Sequence, residues 1–210
     1  MIDRLEDLKI VPVVAIDSAD KAEPLADALC AGGLPCAEVT MRTAAALDVI
    51  KVMSRRDDLL LGAGTVHNPD QARAAMDAGA KFVVTPGFNP RTVSWCRENN
   101  IPVFPGTSTP TDLEMALEYG LEVVKFFPAE TLGGVKTLKA FRGPYGGIRF
   151  IPTGGIGPAN VKGYLALPCV VACGGSWMVR PDLLQDGNFK EVPRLTAEAV
   201  MLASGKIELS

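Results

Sequence analysis

The sequence predicts one (β/α)8 (TIM) barrel, a single domain over residues 1–210. Three observations carry that expectation. Short β-rich apolar runs recur at intervals of roughly 20 to 25 residues, each followed by a helical pattern, the mark of βα units on a parallel sheet. The runs are nearly continuous in apolar residues, as strands covered on both faces require. No linker, low-complexity tract or change of composition divides the chain, and its length is enough for one large core.

Eight such runs can be placed in order: Ile10 to Ile16, Cys36 to Met41, Leu59 to Val66, Phe82 to Pro86, Pro102 to Thr107, Val123 to Pro128, Arg149 to Gly154 and Cys169 to Gly175. Helix starts are legible where Asn68 precedes Pro69, Asn89 precedes Pro90 and Thr109 precedes Pro110. In each pair a side-chain oxygen can accept from free backbone N–H groups, and proline suits the first helical position. Gly79 and Gly120 follow two of these patterns, where a left-handed residue commonly ends a helix. The pattern from Val192 to Ser204 reads as the closing helix.

Composition excludes several classes. The 21 basic and 24 acidic residues give net charge -3 with no basic stripe, so nucleic acid is not an expected partner. No apolar stretch approaches the roughly 18 residues of a membrane span, and the charged start MIDRLEDLK with the short run IVPVVAI lacks the form of a signal peptide. Cys30, Cys36, Cys96, Cys169 and Cys173 are odd in number and lie mostly inside apolar runs, which reads as reduced core cysteines of a cytoplasmic protein. No zinc or other metal site and no cofactor is expected. His67, the only histidine, reads as a solvated loop residue, whereas a metal-dependent sugar-phosphate epimerase needs two histidines with carboxylates.

The chemistry centres on VVKFFPAE, Val123 to Glu130, which places Lys125 in the middle of a strand-like apolar run. An amine taken out of water gives up its proton more readily and becomes a nucleophile, so Lys125 is a candidate for Schiff-base formation. A snorkelling or ion-paired lysine is the bland alternative. In such a barrel the active site lies at the C-terminal strand ends; the polar residues there are Glu38, Thr40, Arg42, Thr65, Thr85, Lys125, Thr153 and, just beyond the eighth run, Ser176. Because strand side chains alternate faces, Glu38, Thr40 and Arg42 point one way, as do Lys125 and Phe127. Two glycine-rich turns, Pro152 to Asn160 and Cys173 to Trp177, follow the seventh and eighth runs. There the backbone can approach an anion closely, a following helix N-terminus can favour it, and Ser176 can add a hydroxyl donor.

Taken together, EVTMRT (Glu38 to Thr43), GAGTV (Gly62 to Val66), TPG (Thr85 to Gly87), VKFFPAE (Val124 to Glu130), PTGGI (Pro152 to Ile156) and GGSW (Gly174 to Trp177) resemble one family. It is the class I aldolases acting on 2-keto-3-deoxy-6-phosphogluconate (KDPG) and 4-hydroxy-2-oxoglutarate (KHG). The resemblance implies Lys125 as Schiff-base lysine and Glu38 as proton-shuttling acid and base. It further implies Arg42 and Thr65 at the substrate carboxylate, Pro86 and Phe127 as pocket walls, and Thr153 near the reacting carbon. The phosphate falls to Gly154, Gly155, Gly175 and Ser176. A phosphorylated keto acid as substrate, a cytoplasmic homotrimer and no metal are likewise implied. TPG departs slightly from the serine more usual before Pro-Gly in that family. Rival readings are an aldolase for the galactonate epimer, a metal-free phosphosugar isomerase and a non-catalytic sugar-phosphate binder.

Overall fold

Seven of the eight β-rich runs contain one strand, the fifth contains two, and helices lie between the runs. The structure, a computed structural model, describes residues 1–184 and 189–205. The order is α1 (Ile2–Leu8), β1 (Ile10–Val14), α2 (Ala22–Ala31), β2 (Cys36–Thr40), α3 (Ala46–Met53), β3 (Leu60–Gly64), α4 (Pro69–Asp77), β4 (Phe82–Val84), α5 (Pro90–Glu98), β5 (Val103–Phe104), β6 (Gly106–Thr107), α6 (Pro110–Glu118), β7 (Val123–Phe126), α7 (Gly134–Phe141), β8 (Arg149–Pro152), α8 (Val161–Leu165), β9 (Cys173–Gly175), α9 (Pro181–Leu184) and α10 (Glu191–Ala203).

The helix starts follow their caps. Asn68 accepts from Gln71 N–H at 2.9 Å and Asn89 from Arg91 N–H at 3.0 Å. At α6 the cap is reciprocal: Thr109 Oγ1 accepts from Asp112 N–H at 3.3 Å while Asp112 Oδ2 accepts from Thr109 N–H at 2.9 Å. Gly79 and Gly120, at φ 107° and 65°, follow α4 and α6 in the left-handed region.

All paired strands are parallel, in an α/β fold with a curled sheet. Its ladder differs from the expected unbroken ring of eight. Six strands run β5-β4-β3-β2-β1-β9 and three run β6-β7-β8. The fifth run divides at Pro105, which has no N–H to give a ladder, although its carbonyl accepts from Lys125 N–H at 2.9 Å. Between β8 and β9 the pairing reduces to two isolated parallel bridges, Phe150 with Val170 and Thr153 with Gly174.

One apolar layer lies between sheet and helices; a second, smaller one contains Val11, Cys36, Leu60, Phe82, Val123 and Ile151. Cys36, Val123 and Ile151 stand two residues before Glu38, Lys125 and Thr153, so the same strand face is apolar low down and polar at its C-terminal end. Helix α1, unanticipated from sequence, closes this inner layer: Leu5 is fully buried in it, with Ile2 and Leu8 packed against it. Among the described residues no helix is long and apolar enough to cross a membrane.

Candidate active site

The polar end of that face holds Glu38 from β2 and Lys125 from β7, only 3% and 5% exposed. Lys125 Nζ lies 3.8 Å from Glu38 Oε1, an ion-pair distance too long for a hydrogen bond. Glu38 Oε1 is buried without a hydrogen-bond partner. The amine sits 4.8 Å from the centroid of the Phe127 ring, a cation–π separation when protonated. Thr107 Oγ1 fixes the strand beside it by donating to Lys125 O at 2.9 Å.

Glu38 has room because β3 carries a glycine, Gly64, opposite Thr40, the next residue on the same face. A Cβ on Gly64 would come 2.1 Å from Glu38 Oε1. Gly64 is not among the site residues expected from the sequence, although the glycines of GAG stand two residues apart like the polar positions of β2. Thr40, also buried, donates Oγ1–H to Val14 O at 2.8 Å and accepts from Arg42 Nε at 3.1 Å. A hydroxyl has one proton, so the bond to Val14 turns its lone pairs toward Arg42 and orients the guanidinium. Thr65 sits at φ 56°, a left-handed conformation strained for a β-branched residue and characteristic of functional sites.

Lys125, Glu38, Arg42, Thr65, Pro86, Phe127, Thr153, Gly154, Gly155, Gly175 and Ser176 all line one cavity of about 300 Å³. Thr40, Val13, Ile156 and Gly174 line it too. Thr85 does not; its hydroxyl turns to Gly87 O at 2.6 Å. A larger cavity of about 470 Å³ lies around Asp3, Arg97, Glu122 and Arg149, at the N-terminal ends of β5, β7 and β8, but it contains neither buried lysine nor buried carboxylate. Below Glu38 on the same face, burial and then the Glu38 charge push the Cys36 thiol up to about 12, which leaves it an inert core group. Among the described residues no three His, Cys, Asp or Glu side chains gather as a metal-binding group.

The turn after β8 is built on two left-handed glycines. Gly154 and Gly155 sit at φ 101° and 77°. Three successive carbonyls are occupied: Thr153 O by Ala129 N–H at 2.8 Å, Gly154 O by Glu130 N–H at 3.1 Å, and Gly155 O by Asn160 Nδ2 at 3.0 Å. The Thr153–Gly174 bridge turns the Gly154 N–H toward Gly174 O, whereas among the described residues the Gly155 N–H meets no protein acceptor. A free N–H on a positive-φ turn is a ready donor for an anion. The expected help from a following helix is weak, since α8 begins only at Val161 and has 5 residues.

A search against known families decides the lineage: the family described as KDPG and KHG aldolase matches residues 1–195. The chain belongs to the KDPG and KHG aldolase family. Relatives of this aldolase family agree. The 2-dehydro-3-deoxy-phosphogluconate aldolase of Haemophilus influenzae is 50% identical over 201 residues, 95% of each chain. The KDPG aldolase of Zymomonas mobilis, solved with 3-phosphoglycerate, superposes with TM-score 0.90 at 36% identity over 96% of this chain and 95% of that one. The KDPG aldolase of Legionella pneumophila, solved with pyruvate captured at low pH as a covalent carbinolamine, gives TM-score 0.90 at 35% identity over 94% of this chain and 97% of that one.

Proposed function

We propose that the chain is a class I aldolase that reversibly cleaves KDPG to pyruvate and glyceraldehyde 3-phosphate, the last step of the Entner-Doudoroff route. One observation carries the reading: a buried amine and a buried carboxylate from separate strands, 3.8 Å apart, at a cavity of substrate size. Family membership and the names of the relatives support the same activity.

In this reading Lys125 attacks the C2 ketone, and loss of water gives an iminium. Glu38 takes the C4 hydroxyl proton, directly or through one water. The C3–C4 bond breaks, its electron pair passes into the iminium, and the aldehyde leaves as glyceraldehyde 3-phosphate. The enamine left on Lys125 takes a proton at C3 from Glu38, and water hydrolyses the imine to release pyruvate. The free Oε1 of Glu38 suits this two-way traffic, because no protein donor competes for it.

Arg42 and Thr65 hold the substrate carboxylate, a planar fork matching two oxygens. Pro86 and Phe127 form walls, and Thr153 stands by the reacting carbon. Gly154, Gly155, Gly175 and Ser176 take the phosphate, supported by the free Gly155 N–H of the β8 turn. The mechanism asks for no metal or cofactor. KHG cleavage to pyruvate and glyoxylate is a second activity of the same residues.

The finer architecture belongs to the same proposal. With β5 and β6 taken as one strand and the two bridges joining β8 to β9, the sheet reads as a closed (β/α)8 barrel and one domain over residues 1–210. Five free cysteines support a reducing, cytoplasmic setting, and homotrimeric assembly rests on family resemblance. Incubation with pyruvate and borohydride, followed by peptide mapping, is expected to modify Lys125; modification at Lys136 or Lys139 instead overturns the assignment. Parallel assays with KDPG and its galactonate epimer decide the C4 preference.

A further inference from the structure

We infer that Glu130 and Tyr164 are positioning residues that hold the glycine turn after β8 in its phosphate-binding shape, an inference that rests on the aldolase reading above. Neither side chain lines the cavity. Tyr164, on α8, is fully buried, and its hydroxyl donates to Glu130 Oε1. Burial first and Glu130 second push the phenol well above its ordinary value, so it remains the donor.

Glu130 reaches the turn in two ways. Its N–H occupies Gly154 O at 3.1 Å. Its side chain fills the space beside Gly155, where an added Cβ would stand 2.7 Å from both Cβ and Cγ of Glu130. Gly134, at φ 56°, leaves space for the pair: a Cβ there would come 2.6 Å from the Tyr164 hydroxyl and 2.9 Å from Glu130 Oε1.

Two consecutive glycines lose more conformational freedom on ordering than any other pair, so a turn that offers the Gly155 N–H to phosphate needs something rigid behind it. Glu130 alone is a poor support, being an exposed side chain. Tied to a fully buried tyrosine, it becomes a fixed one. The tie also holds a carboxylate out of a cavity meant for an anion, where its charge would oppose phosphate.

The test uses Tyr164→Phe, which keeps the ring, together with Glu130→Ala and Glu130→Gln. Three readouts are needed: kcat and KM for KDPG, inhibition by inorganic phosphate, and exchange of pyruvate methyl protons with solvent, which involves no phosphate. Tyr164→Phe and Glu130→Ala are expected to raise KM and the phosphate inhibition constant about 2- to 12-fold, the range of one lost hydrogen bond, with kcat and pyruvate exchange near wild type. Glu130→Gln keeps an acceptor oxygen without the charge and is expected to return KM to the wild-type value or below.

An equal loss in pyruvate exchange, or unchanged KM and phosphate inhibition in both variants, overturns the inference. Should Tyr164→Phe fail to fold, Glu130→Ala at an exposed position still decides it. Wild-type protein that neither exchanges pyruvate protons nor cleaves KDPG defeats the aldolase reading itself. Wild-type protein that does both, beside variants with unaltered KM, defeats the tether alone.

Discussion

Glu38 Oε1 and Lys125 Nζ face each other across 3.8 Å with no protein hydrogen bond on the carboxylate oxygen. An ion pair serving only stability would close to hydrogen-bond distance, because a buried charge without such a bond is costly. The gap suits a carboxylate that must exchange protons with something held between. Glu38→Gln keeps the volume and removes the base. Cleavage of KDPG is expected to fall on the order of 10² to 10⁴-fold, while pyruvate is still trapped on Lys125 by borohydride. Wild-type cleavage in that variant would return Glu38 to a structural role.

Gly64 tests the placement of that carboxylate separately from its chemistry. An alanine Cβ would come 2.1 Å from Glu38 Oε1, which forces the carboxylate aside without removing it. Misplacing a catalytic group by about 1 Å can cost on the order of 10²-fold. Gly64→Ala is therefore expected to fold, to trap pyruvate, and to lose cleavage by roughly that factor. Full activity would mean that Glu38 can act from more than one position.

Stability at the α6 end should depend on pH in a defined direction. Burial raises the carboxyl of Asp112, but bonds from the Ser108 and Thr109 N–H and hydroxyl groups outweigh it and hold it below the usual range. A folded value below the unfolded one means that the stabilisation is complete above the unfolded carboxyl, about 3.9, and fades as pH falls through the lower folded value. Asp112→Ala removes all four bonds to Oδ2. At neutral pH the loss is expected to be about 1 to 2 kcal/mol, or roughly 2 to 8 °C in Tm. Thermal melts of both proteins should converge in acid; a constant difference would show that the charge contributes nothing.

Much of this was legible in the sequence because it is local. Strand parity relates residues two apart, so the shared face of Glu38 and Thr40 needs no tertiary information, and the Asn68, Asn89 and Thr109 caps act over three residues. What escaped depends on distant partners. Helix α1 has no side-chain cap, and its short Ile2, Leu5, Leu8 stripe gains meaning only from strands that arrive later. The role of Gly64 depends on the register that sets Thr40 opposite it. The Glu130–Tyr164 tie spans 34 positions. The break in the ladder at Pro105 follows from a missing N–H, yet a proline within a short apolar run does not by itself say whether a strand ends or bends.

Thr40 offers the last test, because it separates orientation of the substrate carboxylate from recognition of the phosphate. Its hydroxyl links Val14 O to Arg42 Nε, and Arg42 is otherwise an exposed residue at the cavity rim. Thr40→Val keeps the shape and removes the link, whereas Thr40→Ser keeps the link and removes a methyl. Loss of one such bond corresponds to about 2- to 12-fold in kcat/KM. KDPG and pyruvate carry the same carboxylate, so the Val variant should weaken KDPG cleavage and pyruvate proton exchange alike, and the Ser variant should recover both. A loss confined to KDPG would place the effect of Thr40 on the phosphate side and detach it from Arg42.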